Sequence, residues 1–188
     1  MRYLNYLLLA AVLGALQGCF PIIAAGVGAG ALMASDRRTN GTFIEDEAIE
    51  DKTSNKISIT YQNTVHVNVT SYNRHVLLTG EVPTQEIKTA IAEMVNNLPN
   101  IAAVNNELLV DVNSSLKSRS SDSIISGNIK LRFLKNDDFK AEHVKVVTER
   151  GTVYLLGLVY RKEADAATEI ASTTPGVERV VKMFEYLD

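Results

Sequence analysis

The chain carries one pattern twice. Residues 67–82, VNVTSYNRHVLLTGEV, align with residues 144–159, VKVVTERGTVYLLGLV, at a constant offset of 77. Val67, Val69, Val76, Leu78, Gly80 and Val82 fall on Val144, Val146, Val153, Leu155, Gly157 and Val159. After a helical stretch the match resumes at an offset of 76, with LPNIAAV (98–104) on TPGVERV (174–180). A repeat this long implies two copies of one supersecondary unit, and any fold assigned to the chain has to be assigned to that unit first.

Each copy has the same local physics. VNV or VKV alternates, a turn-rich spot follows (Tyr72-Asn73-Arg74 or Glu149-Arg150-Gly151), and a second alternating run completes a hairpin. An amphipathic helix comes next. In the first copy Thr84 is its N-cap, and Ile87, Ala90, Ile91, Met94, Val95 and Leu98 recur at helical spacing; in the second, Ala164, Ala167, Ile170 and Ala171 do so. Pro99 and Pro175 mark the exits, after which ELLVDV and KMFEYL read as a final strand. A further helix precedes each hairpin, EDEAIEDKTSNKI near 45–57 and DSIISGNIKLRFL from Asp122.

The predicted fold is therefore α+β, two tandem αββαβ units of residues 44–112 and 122–188. Each is a three-stranded mixed sheet covered on one face by two helices, with the last strand free to lie parallel after its helical crossover. The polar, serine-rich NSSLKSRSS (113–121) between them reads as a linker. Gly80 and Gly157 take equivalent strand positions, which points to close packing or a special backbone angle.

The N-terminus, MRYLNYLLLAAVLGALQGC, places one basic residue before an apolar segment from Leu7 to Leu16 and then small and polar residues, the layout of a secretory signal peptide over 1–18. Its end, Leu16-Gln17-Gly18-Cys19, resembles a bacterial lipobox, in which cleavage precedes a cysteine that is then acylated. Cys19 is the only cysteine, so an internal disulfide is excluded. Two other readings compete: Cys19 as an ordinary small hydrophobe, or an uncleaved membrane anchor continuing through FPIIAAGVGAGALMA to Ala34, which Pro21 and three glycines weaken. On the lipobox reading three acyl chains give lasting attachment. Phe20, where an aspartate retains lipoproteins in the inner membrane, favours the outer membrane. Residues 19–43 then form a lipidated tether.

The order of elements, with the V-x-V, V-x-L-x-G-x-V and P-(G/N)-(I/V)-x-x-V signatures, resembles the BON domain of bacterial envelope proteins. A lipobox followed by two such domains is similar to the family of dual BON-domain outer-membrane lipoproteins, and the likeness covers nearly the whole chain. The resemblance implies a periplasm-facing protein of a Gram-negative outer membrane. It also implies binding of anionic phospholipid, support of outer-membrane integrity, enrichment at the division site and no enzymatic activity. An alternative is a protein-interaction module for envelope or outer-membrane assembly partners.

The residues offer little for catalysis. His66, His75 and His143 have no carboxylate or second histidine at a ligand-like helical spacing, so no metal site is expected. Asp137-Asp138 reads as a turn, and there is no phosphate-binding loop or nucleophile elbow, hence no expected cofactor or small-molecule substrate. A formal net charge of -3 gives no sign of nucleic-acid binding.

Charge is unevenly shared. Residues 44–112 carry ten acids and four bases, residues 113–188 eleven and twelve, so only the second unit is suited to a negative membrane surface. On a 100° wheel Ile125, Ile129 and Phe133 form one stripe suited to the core. Ile124, Leu131 and Leu134 lie away from it, beside Asn128, Arg132 and Lys135, as an interfacial helix requires. These six residues are the expected phospholipid contact, on the helix where the family places it. A well-known member has an aromatic anchor where this chain has Ile124, and Ile lacks the interfacial preference of Trp. The competing expectation is that the apolar strip packs against the other unit.

Overall fold

The computed structural model describes residues 36–188, and the expected signal peptide, Cys19 and the expected tether as far as Ser35 lie outside the described residues. Two turns set the geometry of both hairpins. Asn73 and Arg74 have φ of 50° and 63°, and Arg150 and Gly151 have 48° and 72°. Two consecutive positive φ angles are what a type I′ turn requires, and its twist matches that of the paired strands. Thus β1 (His66–Tyr72) pairs antiparallel with β2 (His75–Val82), and β5 (Lys145–Glu149) with β6 (Thr152–Val159).

Side-chain oxygens start three of the four helices. Thr39 accepts from the Thr42 N–H ahead of α1 (Asn40–Tyr61), Thr84 from Ile87 ahead of α2 (Gln85–Asn96), and Ser115 from Ser118 ahead of α3 (Leu116–Phe133). Ahead of α4 (Arg161–Ser172) the Glu163 carboxylate accepts from the Tyr160 N–H at 2.9 Å. The crossover helices α2 and α4 deliver the last strands parallel to β2 and β6. In the first unit that strand is broken into β3 (Ala103–Asn106) and β4 (Leu109–Val110), and in the second it is continuous as β7 (Arg179–Tyr186). The break turns Leu108 fully into the core.

Two helix boundaries differ from the sequence expectation. Helix α3 begins at Leu116, so residues 116–121 of the expected linker are its first turns. Serine is a weak helix former but costs little on a solvent-facing surface, and the Ser115 cap marks the true start. Helix α1 likewise begins at Asn40, inside the expected tether.

Each sheet carries its two helices on one face. Val76, Leu78 and Val82 pack with Ile49, Ile57, Ile91 and Val95 in the first unit. In the second, Val153, Leu155 and Val159 pack with Ile125, Ile129, Phe133, Ala164, Ala167 and Ala171. The alternate residues of the same strands do something the sequence reading missed. Tyr72 and Leu77 of the first sheet cluster with Tyr154 and Leu156 of the second, flanked by Val147, Leu158, Val181 and Met183. The helix-free faces of the two sheets are therefore buried against each other, giving the order helix, sheet, sheet, helix. Polar contacts ring this interface: Lys145 Nζ to Glu50 Oε1 at 2.7 Å, Arg150 Nη1 to Asp111 Oδ2 at 2.6 Å, and Asn73 Nδ2 to the Glu185 carboxylate at 3.0 Å.

Gly80 and Gly157 are equivalent in space as in sequence. A Cβ at either would overlap a backbone carbonyl oxygen, that of His66 or of His143, and Gly80 also has a φ of 114°. His66 and His143 are thus counterparts in the repeat.

Candidate membrane-contact surface

Because the sheets consume the interface between the units, the outer faces of the helices are left turned away from it. On α3 this matters most. Ile125, Ile129 and Phe133 are buried in the core, and Asp122 and Ser126 face inward with them, Ser126 donating to Thr148 Oγ1 at 2.7 Å. On the opposite side Ile124 is 64% exposed, Leu131 57% and Leu134 69%. None is buried against the first unit. Leu116, which the linker expectation hid, is 80% exposed and adds a fourth apolar side chain.

These four residues fall within an arc of about 80° on the helical wheel, with only Ser120 and Gly127 between them. At 1.5 Å per residue the strip is about 27 Å long. Lys117 and Lys135 border it on one side and Lys130 on the other. All three lysines are exposed, and none has an ion-pair partner among the described residues. Asp122 is the only acid in α3, and it is buried. The basic residues of the last turn, Lys130 and Arg132, also complement the helix dipole.

Arg132 stands apart from the other expected contact residues. Its guanidinium donates to Ile170 O and Thr174 Oγ1, both at 2.6 Å, and to Thr173 Oγ1 at 2.9 Å. It ties the end of α3 to the C-terminal end of α4, so both of its Nη groups are already engaged. Asn128 and Lys135 are exposed beside the strip. Helix α1, the counterpart of α3, exposes Ile44 and Ile59 near opposite ends, separated by Glu47, Asp51 and Lys52.

A second feature escaped sequence reasoning. Arg37 donates to both Glu163 oxygens at 2.6 and 2.8 Å and to Leu158 O at 2.9 Å, in the second unit. Arg38 instead pairs with Asp36 and Asp46 and lies over the Tyr72 ring at 4.1 Å, in the first. Two adjacent arginines thus fasten the entering chain to both units. The sequence signal is the run Asp36-Arg37-Arg38 itself, the first charged residues after Arg2.

The residues weighed for catalysis do not converge. Asp137 and Asp138 are exposed in a loop, where Asp138 N donates to Asn136 Oδ1 at 2.8 Å. His143 is buried with its Nδ1 3.8 Å from Glu163 Oε1, and burial, then the Arg37 guanidinium, hold its pKa below the ordinary histidine value. Among the described residues no helix is long and apolar enough to cross a membrane.

The BON domain family profile matches residues 45–111 and 121–188. Outer membrane lipoprotein DolP of Haemophilus influenzae is 39% identical over 185 residues, covering 96% of each chain. The 21 kDa hemolysin of Actinobacillus pleuropneumoniae is 33% identical over 154 residues, covering 81% of this chain and 79% of that protein. Osmotically-inducible protein Y of Escherichia coli is 27% identical over 157 residues, with coverage of 81% and 78%.

Proposed function

This chain belongs to the DolP family of dual BON-domain outer-membrane lipoproteins, and from that premise we propose that its second BON domain rests on anionic phospholipid through α3. The observation that carries the reading is the exposed strip of Leu116, Ile124, Leu131 and Leu134 between unpaired lysines. Full burial of a leucine or isoleucine side chain contributes about 1.5 to 3 kcal/mol. Each lysine near an anionic surface adds about 1 kcal/mol. Asn128 and Lys135 face headgroups, while Arg132 holds the helix in place. The first domain, acidic and without such a strip, faces away from lipid or toward other envelope proteins.

Anchoring supplies the rest. With acyl chains on Cys19, α3 acts as a second, tethered contact and needs only modest affinity of its own. The tethered protein faces the periplasm, has no enzymatic role, and supports outer-membrane integrity, with enrichment at the division site.

Flotation of the unlipidated protein with phosphatidylcholine vesicles, with and without phosphatidylglycerol, tests the lipid contact. Binding is expected only with the anionic lipid; none with either sinks the reading. The mass of the mature chain tests the anchor, since a product without acyl groups is incompatible with it.

A further inference from the structure

The face where the sheets meet is not wholly apolar. His66 and Glu81 are Cα partners across β1 and β2, so their side chains leave the first sheet together on the side turned to the second unit. Glu149, the last residue of β5, reaches the same place from that unit. One nitrogen or oxygen from each of the three lies within 4.8 Å of the others.

Two features distinguish this cluster from a chance meeting of acids. Glu81 is 0% exposed, and while its Oε2 accepts from the Ser114 N–H at 3.0 Å, its Oε1 has no hydrogen-bond partner. A buried carboxylate oxygen left in that state is costly and calls for an explanation. The nearest cation is Arg150, whose Nε is 3.7 Å from it, beyond hydrogen-bonding distance, and whose Nη1 is held by Asp111 at 2.6 Å. The second feature is support for the neighbours. Asn68 Nδ2 donates to Glu149 Oε2 at 2.8 Å and lies 3.4 Å from His66 Nε2. Burial raises the Glu149 carboxyl above the usual range, so this site disfavours a second uncompensated negative charge.

We propose that His66, Glu81 and Glu149 bind one zinc(II) ion between the two BON domains. A dication neutralises the two carboxylates and gives Glu81 Oε1 the partner it lacks. One imidazole with carboxylates is a zinc-like donor set, and Asn68 serves as the outer support that such ligands commonly have. Bonds of about 2.0 to 2.2 Å in a tetrahedron place ligand atoms about 3.4 Å apart. From within 4.8 Å of one another, the three ligand atoms therefore close in by about an ångström when the ion binds. A cleft of about 460 Å³ lined by His66, Asn68 and Glu149 gives the ion access. Arg119 and Lys130 also line it and repel a dication, so direct ligation has to hold the ion against them. With two ligands from one sheet and one from the other, zinc acts as a staple across the interface. The spacing of these residues along the chain conceals the site, because strand pairing and domain packing bring them together. The proposal does not depend on lipid binding by α3.

The test is zinc uptake by the full chain in detergent, measured by competition with a chromophoric chelator, with stoichiometry from elemental analysis after dialysis. The expected result is one zinc per chain, unchanged in His75→Ala, weakened at least about tenfold in His66→Ala and in Glu149→Gln. Zinc is also expected to raise the unfolding temperature of the wild-type protein and not that of His66→Ala. His66 is half-buried at a strand end, and circular dichroism verifies that its variant is folded. No saturable uptake by the wild type, or uptake that survives both substitutions, overturns the proposal. Binding through the Cys19 thiol would survive them and so counts against the site.

Discussion

Asp46 and Asp122 hold the same post in the two repeats. Asp46 accepts from the backbone N–H groups of Asn73 and Arg74, both at 2.7 Å, and Asp122 from those of Arg150 and Gly151 at 3.0 and 2.9 Å. In each unit one buried carboxylate on the first helix therefore locks the two-residue turn of the hairpin. It satisfies two N–H groups that the tight turn leaves without strand partners. Asp46 does more, accepting also from Ser71 Oγ at 2.6 Å and Arg38 Nη1 at 2.7 Å.

Removing these carboxylates is expected to destabilise the two units unequally. A hydrogen bond to a charged group contributes about 1.5 to 3 kcal/mol, and its loss strands buried donors. Asp122→Ala is expected to cost about 2 kcal/mol and Asp46→Ala about 3 kcal/mol or more, since it also releases Arg38. Urea unfolding of both variants checks the order, and an equal or reversed ranking would refute the larger role given to Asp46.

The repeat made much of this fold legible. Offset alignment located both hairpins, both crossover helices and the core stripe of Ile125, Ile129 and Phe133, because each is decided by local periodicity and turn chemistry. Sheet-on-sheet packing was not legible in the same way. Val76-Leu77-Leu78 and Val153-Tyr154-Leu155-Leu156 are unbroken apolar runs, the signature of strands buried on both faces, and reading them as alternating hid the role of Leu77, Tyr154 and Leu156. The turn-locking aspartates and the pairing of His66 with Glu81 need a register that one-dimensional spacing does not contain. The exposed strip on α3 was legible from Ile124 onward, and Leu116 was lost only because a serine-rich first turn looks like a linker.

The shared interface predicts that the two domains unfold as one. Leu156 and Leu77 are buried from opposite sheets in one cluster, so each unit loses packing if the other melts. A single calorimetric transition is expected for the wild type. Leu156→Ala is expected to cost about 2 to 5 kcal/mol. Leu156→Asp, which buries a charge between the sheets, is expected to split the transition in two. Two transitions already present in the wild-type protein would contradict the coupling.

Acid sensitivity is expected from His143. Its surroundings are Glu163 on α4, Arg37 from the entering segment, and Glu142 and Lys140 nearby; burial is the largest influence and lowers its pKa. A group depressed in the folded state binds its proton first in the unfolded chain, where histidine titrates near about 6.5. Its contribution is therefore present above that pH and is lost as pH falls through the lower folded value. Unfolding free energy should decline on acidification from about pH 7, and His143→Gln, which stays neutral, should decline less. Denaturant titrations across this range decide it: parallel curves for the two proteins would assign the acid sensitivity elsewhere.

The α3 surface separates folding from membrane contact more cleanly than any other part of the molecule. Leu131 is 57% exposed and Ile129, two positions away, is 0% exposed. Leu131→Glu should change stability by no more than about 0.5 kcal/mol, as surface substitutions do, and abolish flotation with anionic vesicles. Ile129→Ala should cost about 2 to 5 kcal/mol whether or not lipid is present. Lysine attraction is screened by salt, so binding by the wild-type protein should weaken as ionic strength rises past 0.1 M, where the Debye length is about 10 Å. Replacing Lys117, Lys130 and Lys135 with glutamine should remove most of that salt dependence while leaving the apolar strip intact. If Leu131→Glu floats as well as the wild type, or if the lysine variant keeps the full salt dependence, lipid is met by another face of the protein.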